Sequence, residues 1–143
     1  MVVPDVNVLV YAFRRDAENH VAYRDWMDSL VNGSAAFGLA ELVLSGFLRV
    51  VTHPSIFRTP SPMRSALGFV EALRGSAHSV SVVPGPHHFD IFLDLCRLPG
   101  SKGNVVPDAY LAALAIESGS EWLTADRGFA RFPGLRWRHP LDG

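Results

Sequence analysis

The chain has 143 residues, a formal net charge of −1 and 48% hydrophobic residues. This composition excludes a disordered protein, and the sequence contains no apolar run of the roughly 20 residues that a membrane-spanning helix needs. Near-zero charge also excludes a protein that coats nucleic acid by bulk charge, although twelve arginines against one lysine leave local phosphate contacts open. The length predicts one domain over residues 1–143. Because the N-terminus lacks a signal-peptide pattern, we expect a cytoplasmic protein.

The first stretch, Val2–Phe13, indicates a buried strand that ends at Asp5, a tight turn, and a helix that opens near Asn7. A strand this short and apolar is typical of the middle of a parallel sheet that is covered on both faces. Ligands of such sheets bind beyond the carboxyl ends of the strands, which places Asp5 at a candidate site. Capping of the next helix explains Asp5 equally well, so this residue alone does not decide its role.

The remaining chain alternates between helical and extended patterns. Helices are predicted at Asn19–Val31, Ala40–Val51, Met63–Arg74, His87–Leu98 and Val105–Glu117, with a turn and short helix at Asp126–Phe132. Strands are predicted at Ala35–Leu39, Ser79–Val83, Glu121–Thr124 and, at an edge, Leu135–Arg138, while loops are predicted at Thr52–Pro62 and Ser101–Asn104. Because strands and helices alternate, we predict an α/β fold: a three-layer α/β/α domain with a mainly parallel sheet of about five strands.

Four acidic residues fall at strand ends or in first helical turns of this map: Asp5, Glu41, Asp108 and Asp126. Asp108 reaches the same edge only if its helix points its N-terminus there. Each acid alone is explained by the preference of helix N-termini for negative charge. Four carboxylates gathered at one edge would repel each other unless a divalent cation joined them, and an oxygen-only site suits Mg²⁺ or Mn²⁺ better than zinc.

Competing sites are poorly supported by the sequence. The six histidines show no pair at helical metal-ligand spacing, and no glycine-rich phosphate loop follows the first strand. The aromatic residues follow apolar stripes, so no platform for stacking bases is evident.

Three segments together carry a resemblance to a known family: DVNVLVYAF near the N-terminus, Glu41 at the start of a helix, and the segment from Gly103 to Leu135, which contains P-D-A and T-A-D. They resemble a PIN-domain protein, specifically a VapC-type toxin of a bacterial toxin–antitoxin pair. The resemblance implies a PIN-like fold, Mg²⁺- or Mn²⁺-dependent endoribonuclease activity on RNA, neutralisation by a cognate VapB-like antitoxin, and a homodimer. Two positions depart from the pattern. Val6 stands where Thr or Ser is frequent, and Pro4 cannot donate to the sheet.

The resemblance also implies roles for residues at matching positions. Asp5, Glu41, Asp108 and Asp126 would form the acidic quartet, with Glu41 acting through water or as a base. Candidates for orienting these ligands are Asn7, Asn104 and Thr124. Independently of the resemblance, candidates for binding RNA phosphates are Arg14, Arg15 and Arg127, because they lie near an acid or its helix in the sequence, although a solvated surface arginine is the more common state. Large apolar residues of the early helices, predicted to form a groove for an antitoxin helix, are Val8, Leu9, Phe13, Trp26 and Leu30.

Two alternatives remain open at this stage. Asp5–Val10 loosely resembles the nucleophile motif of haloacid-dehalogenase-like phosphatases, but Asn7 stands where that motif needs a second acid, and the only lysine, Lys102, lies in a loop. A catalytically inert PIN-like interaction domain is the other alternative, although such a domain is expected to have lost at least one acid.

Overall fold

A computed structural model describes residues 1–142 and contains a parallel sheet whose strands alternate with helices along the chain. The strands are β1 (Val2–Pro4), β2 (Phe37–Ala40), β3 (Ser79–Val82), β4 (Glu121–Leu123) and β5 (Trp137–Arg138). Their order in the sheet is β3-β2-β1-β4-β5, and all pairings are parallel. The first strand therefore occupies the centre of the sheet, as its apolar sequence predicted.

The helices match the predicted ones, with bounds that shift by at most two residues. They are α1 (Val6–Phe13), α2 (His20–Asn32), α3 (Glu41–Val51), α4 (Met63–Arg74), α5 (His88–Cys96) and α6 (Val105–Ser118), and a 3-10 helix at Arg127–Arg131 follows β4. α6 ends at Gly119, whose φ of 66° is the left-handed conformation that glycine adopts at helix ends. These elements confirm the three-layer α/β/α fold.

Pro4 is accommodated in the central strand because the backbone hydrogen bond that its missing N–H would have made is not needed on the side of β2. The Asp5 N–H donates to the Leu123 carbonyl of β4 at 2.8 Å. Successive peptide groups of a strand point to opposite sides, so the N–H that Pro4 lacks would have pointed toward β2. On that side the register pairs Val2 with Phe37, before the proline. The local pairing with β4 is therefore intact, and Asp5 is held at the end of β1.

The prediction that Val8 and Leu9 contribute to a groove for an antitoxin helix is wrong, because both residues belong to the core. Val8 and Leu9 of α1 are fully buried, together with Phe47 of α3 and Trp122 of β4. α1 sits against both α2 and α3, so its apolar residues are used in packing rather than left for a partner. Within residues 1–142, no helix has the length and apolar character needed to span a membrane.

Candidate active site

Three of the four predicted acids line one cavity of about 430 Å³ at the end of the sheet where β1 and β4 finish. Asp5 directly follows β1, Asp126 lies just beyond β4, and Asp108 is in the first turn of α6. The position of Asp108 shows that α6 does present its N-terminal turn to this edge. The rule that ligands of parallel sheets bind beyond the carboxyl ends of strands therefore places these acids correctly.

Asp5 is both a helix cap and the buried centre of a polar network. Its Oδ1 accepts from the Val6 N–H at 2.7 Å, which caps α1. Its Oδ2 accepts from the Thr124 hydroxyl at 2.7 Å and from the Asn7 side-chain amide at 3.3 Å. The two roles that the sequence left open for Asp5 are therefore compatible, because each uses a different oxygen.

Thr124 and Asn7 connect this carboxylate to the turn after β4. The fully buried Thr124 hydroxyl accepts from the Asp126 N–H at 3.0 Å, and the Asn7 side-chain oxygen accepts from the Ala125 N–H at 3.1 Å. Asp126 also accepts from the Gly128 N–H at 2.8 Å and so caps the 3-10 helix. The network fixes the backbone that carries two of the three acids, which is the arrangement expected of residues that orient ligands.

The three acids influence each other electrostatically. Burial and, to a smaller extent, the charges of Asp108 and Asp126 raise the pKa of Asp5 to about 6, against the lowering effect of the hydrogen bonds from Thr124 and Val6. Burial also raises the pKa of Asp108, as does Asp126, while Arg131 lowers it. The negative charge of the neighbouring carboxylates favours protonation of Asp5 and Asp108, and the same negative charge would stabilise a cation bound between them.

The donor chemistry of the cavity fits a hard divalent cation. Its charged lining consists of carboxylates only, from Asp5, Asp108 and Asp126, which are the ligands that Mg²⁺ and Mn²⁺ prefer. In the part of the chain that the structure describes, no three acidic, imidazole or thiol groups already stand at the spacing of a preformed metal site. The acids thus face one cavity without yet converging on one point, as expected for charges that repel each other.

Glu41 is not brought to this cavity. It begins α3 immediately after β2, is exposed, and lines a separate groove of about 160 Å³ together with Arg74 and residues 79–81 of β3. The chain thus places this acid at the correct end of its strand, but on the side of β2 that faces β3 rather than β1. Asn104 precedes α6, is exposed and makes no side-chain capping hydrogen bond.

The three candidate arginines have different environments. Arg14 is 8% exposed, so its interpretation as a solvated surface residue is wrong; it bonds to Asp16 and to the loop between α3 and α4. Arg127 is exposed and pairs with Asp142 at 3.2 Å. Arg15 is exposed and lines a second cavity beside Arg14.

The sequence did not indicate the apolar side of the active cavity. The apolar residues that line it are Val6, Val10, Tyr11, Val50, Ile56, Phe57, Leu111 and Phe129. Tyr11 could have been found, because it lies four residues after Asn7 and therefore on the same face of α1. Ile56 and Phe57 lie in a loop without periodicity, so no local signal pointed to them.

Comparison with known proteins agrees with this geometry. The family model for the PIN domain matches residues 2–135. The chain is 46% identical over 143 residues to VapC ribonuclease Mb2897 from Mycobacterium bovis, covering all of this chain and 97% of that protein. It is 39% identical over 140 residues to ribonuclease VapC25 from Mycobacterium tuberculosis, covering 98% of this chain and 99% of the relative.

Two solved structures share the fold at much lower identity. VapBC2 from Rickettsia felis, solved with a fragment of promoter DNA, matches with a TM-score of 0.69 at 16% identity, covering 97% of this chain and 98% of that one. VapC20 from Mycobacterium tuberculosis, described as a toxin that cleaves the sarcin-ricin loop, matches with a TM-score of 0.66 at 15% identity, covering 95% and 99%. The fold, the family model and the full-length relatives agree, and the chain therefore belongs to the PIN-domain family, among its VapC-type members.

Proposed function

We propose that this protein is a Mg²⁺- or Mn²⁺-dependent endoribonuclease toxin that hydrolyses phosphodiester bonds in RNA. The observation that carries the proposal is the meeting of Asp5, Asp108 and Asp126 in one cavity at the end of the central strands. The names of the full-length relatives, which are ribonucleases of the VapC type, support it. The solved VapBC2 structure from Rickettsia felis supports a VapB-like antitoxin as the neutralising partner.

In this proposal the three acids would hold the cation, and a bound divalent cation would supply attraction for the scissile phosphate and a lower pKa for a water molecule. Thr124 holds the Asp5 carboxylate in one orientation through its hydroxyl, and Asn7 supports the same oxygen. Glu41 lies outside the cavity, so it does not contact the cation directly, and the role left for it in this proposal is through water. Arg131, whose charge already acts on Asp108, is better placed to meet RNA phosphate than the buried Arg14.

The alternatives gain no support from the geometry. A phosphatase of the haloacid-dehalogenase type needs a lysine at the acids, but Lys102 is exposed in the loop before α6 and does not line the cavity. An inert domain has no reason to keep three carboxylates in mutual repulsion, which opposes folding.

The test is RNA cleavage by the purified protein with Mg²⁺, with Mn²⁺, and with a chelator. We expect cleavage with either metal, loss with the chelator, and recovery when excess Mg²⁺ is added back. Asp126→Asn should be nearly inactive, whereas Asp90→Asn, a change of an exposed acid in the first turn of α5, should cleave like the wild type. Cleavage that persists undiminished in the chelator would contradict the proposal.

A further inference from the structure

We propose that the apolar side of the active cavity is a subsite for a nucleobase next to the scissile phosphate, with Phe57, Ile56 and Tyr11 as its main contacts. The inference rests on the proposed ribonuclease function and deepens it. According to this inference, the site contacts a base of the substrate in addition to its phosphate. The loop that contains Ile56 and Phe57, for which the sequence predicted no function, contributes to this contact.

The cavity lining combines two kinds of side chain. Carboxylates come from the end of β1, from α6 and from the turn after β4, whereas aliphatic and aromatic side chains come from α1, α3, α6 and the α3–α4 loop. Its volume of about 430 Å³ is within the range of roughly 300–1,000 Å³ that is usual for ligand pockets. A nucleotide matches both kinds, with an anionic phosphate that a bound cation attracts and a base with a flat apolar face.

The α3–α4 loop, residues 52–62, is held by hydrogen bonds in spite of its irregular sequence. The Ile56 and Phe57 N–H groups both donate to the His53 carbonyl at 3.1 Å. The Ser55 N–H donates to the His53 ring nitrogen at 3.0 Å, and the Ser61 N–H donates to the Val51 carbonyl at 2.8 Å. These bonds present Ile56, which is 49% exposed, and the partly buried Phe57 to the cavity in one arrangement before any substrate binds.

Arg14 fixes the same loop through its side chain. Its guanidinium lies 3.9 Å from the centroid of the Phe57 ring, donates to the Thr59 carbonyl at 2.7 Å and donates to the Ser61 hydroxyl at 3.1 Å. Asp16 accepts from its Nε at 2.9 Å and so supports the charge. Arg14 is therefore a positioning residue for the aromatic wall, and it acts on the substrate only through Phe57.

The position of these apolar residues beside the carboxylates favours a nucleobase, rather than an antitoxin peptide, as the ligand. Phe57 and Tyr11 line the cavity that contains the carboxylates, so any phosphate held there carries its neighbouring bases to them. Sequence-tolerant stacking on aromatic rings requires bases that are not already stacked in a duplex. The subsite therefore implies a single-stranded or looped RNA substrate.

The experiment combines a protein change with a substrate change. Cleavage positions are first mapped with wild-type protein on a pool of single-stranded RNA, and kcat/KM is then measured on one substrate and on copies with an abasic nucleotide on either side of the cleaved bond. We expect one abasic position to reduce wild-type kcat/KM by roughly tenfold or more, as stacking contributions to nucleic-acid binding predict. Phe57→Leu, which keeps an apolar side chain but removes the ring, should lose most of that discrimination.

Phe89→Leu is the matched control, because Phe89 is an aromatic residue of α5 that is 58% exposed and does not line the cavity. It should retain the wild-type response to the abasic substrates. Melting temperatures with and without Mg²⁺ should be similar for both variants, which separates a lost contact from a lost fold.

The outcomes distinguish this inference from the function on which it rests. Wild-type protein that cleaves no RNA with either metal would overturn the proposed function. Wild-type protein that cleaves RNA but treats intact and abasic substrates alike would overturn the subsite and leave the function standing. Unchanged abasic discrimination in Phe57→Leu, together with weaker antitoxin binding, would assign the wall to the peptide instead.

Discussion

Asp5 shows how one side chain can stabilise the fold and still be available for chemistry. One carboxylate oxygen caps α1 and the other meets the Thr124 hydroxyl, and both bonds stabilise the charged form. Burial nevertheless outweighs them, because its pKa is raised to about 6. The charged form of Asp5 is therefore unfavourable in the metal-free protein, and a bound cation would stabilise it.

The raised pKa of Asp5 predicts a pH-dependent stability in the absence of metal. Between its ordinary value of 3.8 and about 6, the folded protein keeps a proton that the unfolded chain has released. The contribution of Asp5 therefore lowers the stability of the metal-free protein as the pH rises through this window, by an amount on the order of 2–3 kcal/mol. Urea unfolding in a chelator at pH 4, 5, 6 and 7 measures it.

Because other groups titrate in the same pH range, the quantity to compare between variants is the slope of the free energy of unfolding against pH. Asp5→Asn should lose the part of the slope due to Asp5, whereas Asp90→Asn, at an exposed acid of α5, should keep it. Equal slopes for the wild type and Asp5→Asn would show that Asp5 is not protonated in the folded state at pH 5.

Asp108→Asn tests whether this acid only stabilises its helix or belongs to a metal cluster. Asp108 lies in the first turn of α6, where a carboxylate interacting with the helix dipole contributes about 0.3–1 kcal/mol, so a purely structural role should cost no more than that and leave activity intact. In the cluster, burial and Asp126 both oppose the charge of Asp108, so the metal-free variant should melt no lower than the wild type. Mg²⁺ should then stabilise it less, because stabilisation follows affinity for the folded state.

Cleavage by Asp108→Asn should fall by orders of magnitude, since metal, phosphate and water are no longer held together. Thermal melting with and without Mg²⁺, beside an RNA cleavage assay, measures all three effects. A variant that melts lower without metal, gains as much from Mg²⁺ and still cleaves RNA would return Asp108 to a structural role.

At the scale of elements, the sequence predicted those features that depend on neighbouring residues in the chain, such as the bounds of helices and strands. The amphipathic stripe of α4 predicted Met63–Arg74 to the residue, and the valine-rich run before Pro84 predicted β3 within one residue. The strand-end rule placed Asp5 and Asp126 correctly for the same reason, since both are fixed by the strand that precedes them. The side of β2 on which Glu41 projects depends on how α3 packs, and no local pattern contains that information.

The α3–α4 loop shows the same limit more sharply. Its three prolines and lack of periodicity predicted a loop, which it is, but gave no indication that it forms a wall of the cavity. Its order depends on Arg14, which lies 45 residues before Thr59 and 47 before Ser61 in the sequence. Contacts at this separation are set by the tertiary fold.

Arg14→Gln should therefore disturb an element rather than one contact. The change removes the ion pair with Asp16 and the guanidinium over Phe57, and it weakens the bonds to the loop. We expect a loss of about 2–4 kcal/mol in the free energy of unfolding, because a buried charge-assisted network is broken. Arg15→Gln, at the exposed neighbour, should change it by no more than about 0.5 kcal/mol. Equal effects in urea unfolding would contradict the assigned role of Arg14.

At the scale of the whole molecule, the surface that remains for partners is narrower than the sequence predicted. Val8 and Leu9 belong to the core, whereas Phe13, Trp26 and Leu30 remain half-buried at the surface of α1 and α2. Further exposed apolar residues lie on α3 and α4, at Leu42, Met63 and Leu67, each at least 41% exposed. The two sets of residues lie on different helices, so the contribution of each to partner binding can be tested by its own substitution.

The last prediction concerns these partners. Where the neighbouring gene encodes a small protein, its co-expression with this chain should give a stable complex that contains two copies of this chain, has a higher melting temperature, and no longer cleaves RNA. If the α1–α2 surface binds an antitoxin helix, Trp26→Ala should weaken the complex by roughly tenfold or more, as loss of a central aromatic contact does. Leu42→Ala on α3 should leave antitoxin affinity unchanged and weaken the dimer instead. Light scattering after size exclusion and titration calorimetry measure both effects. A purely monomeric protein that forms no complex with its neighbour would refute both partner assignments.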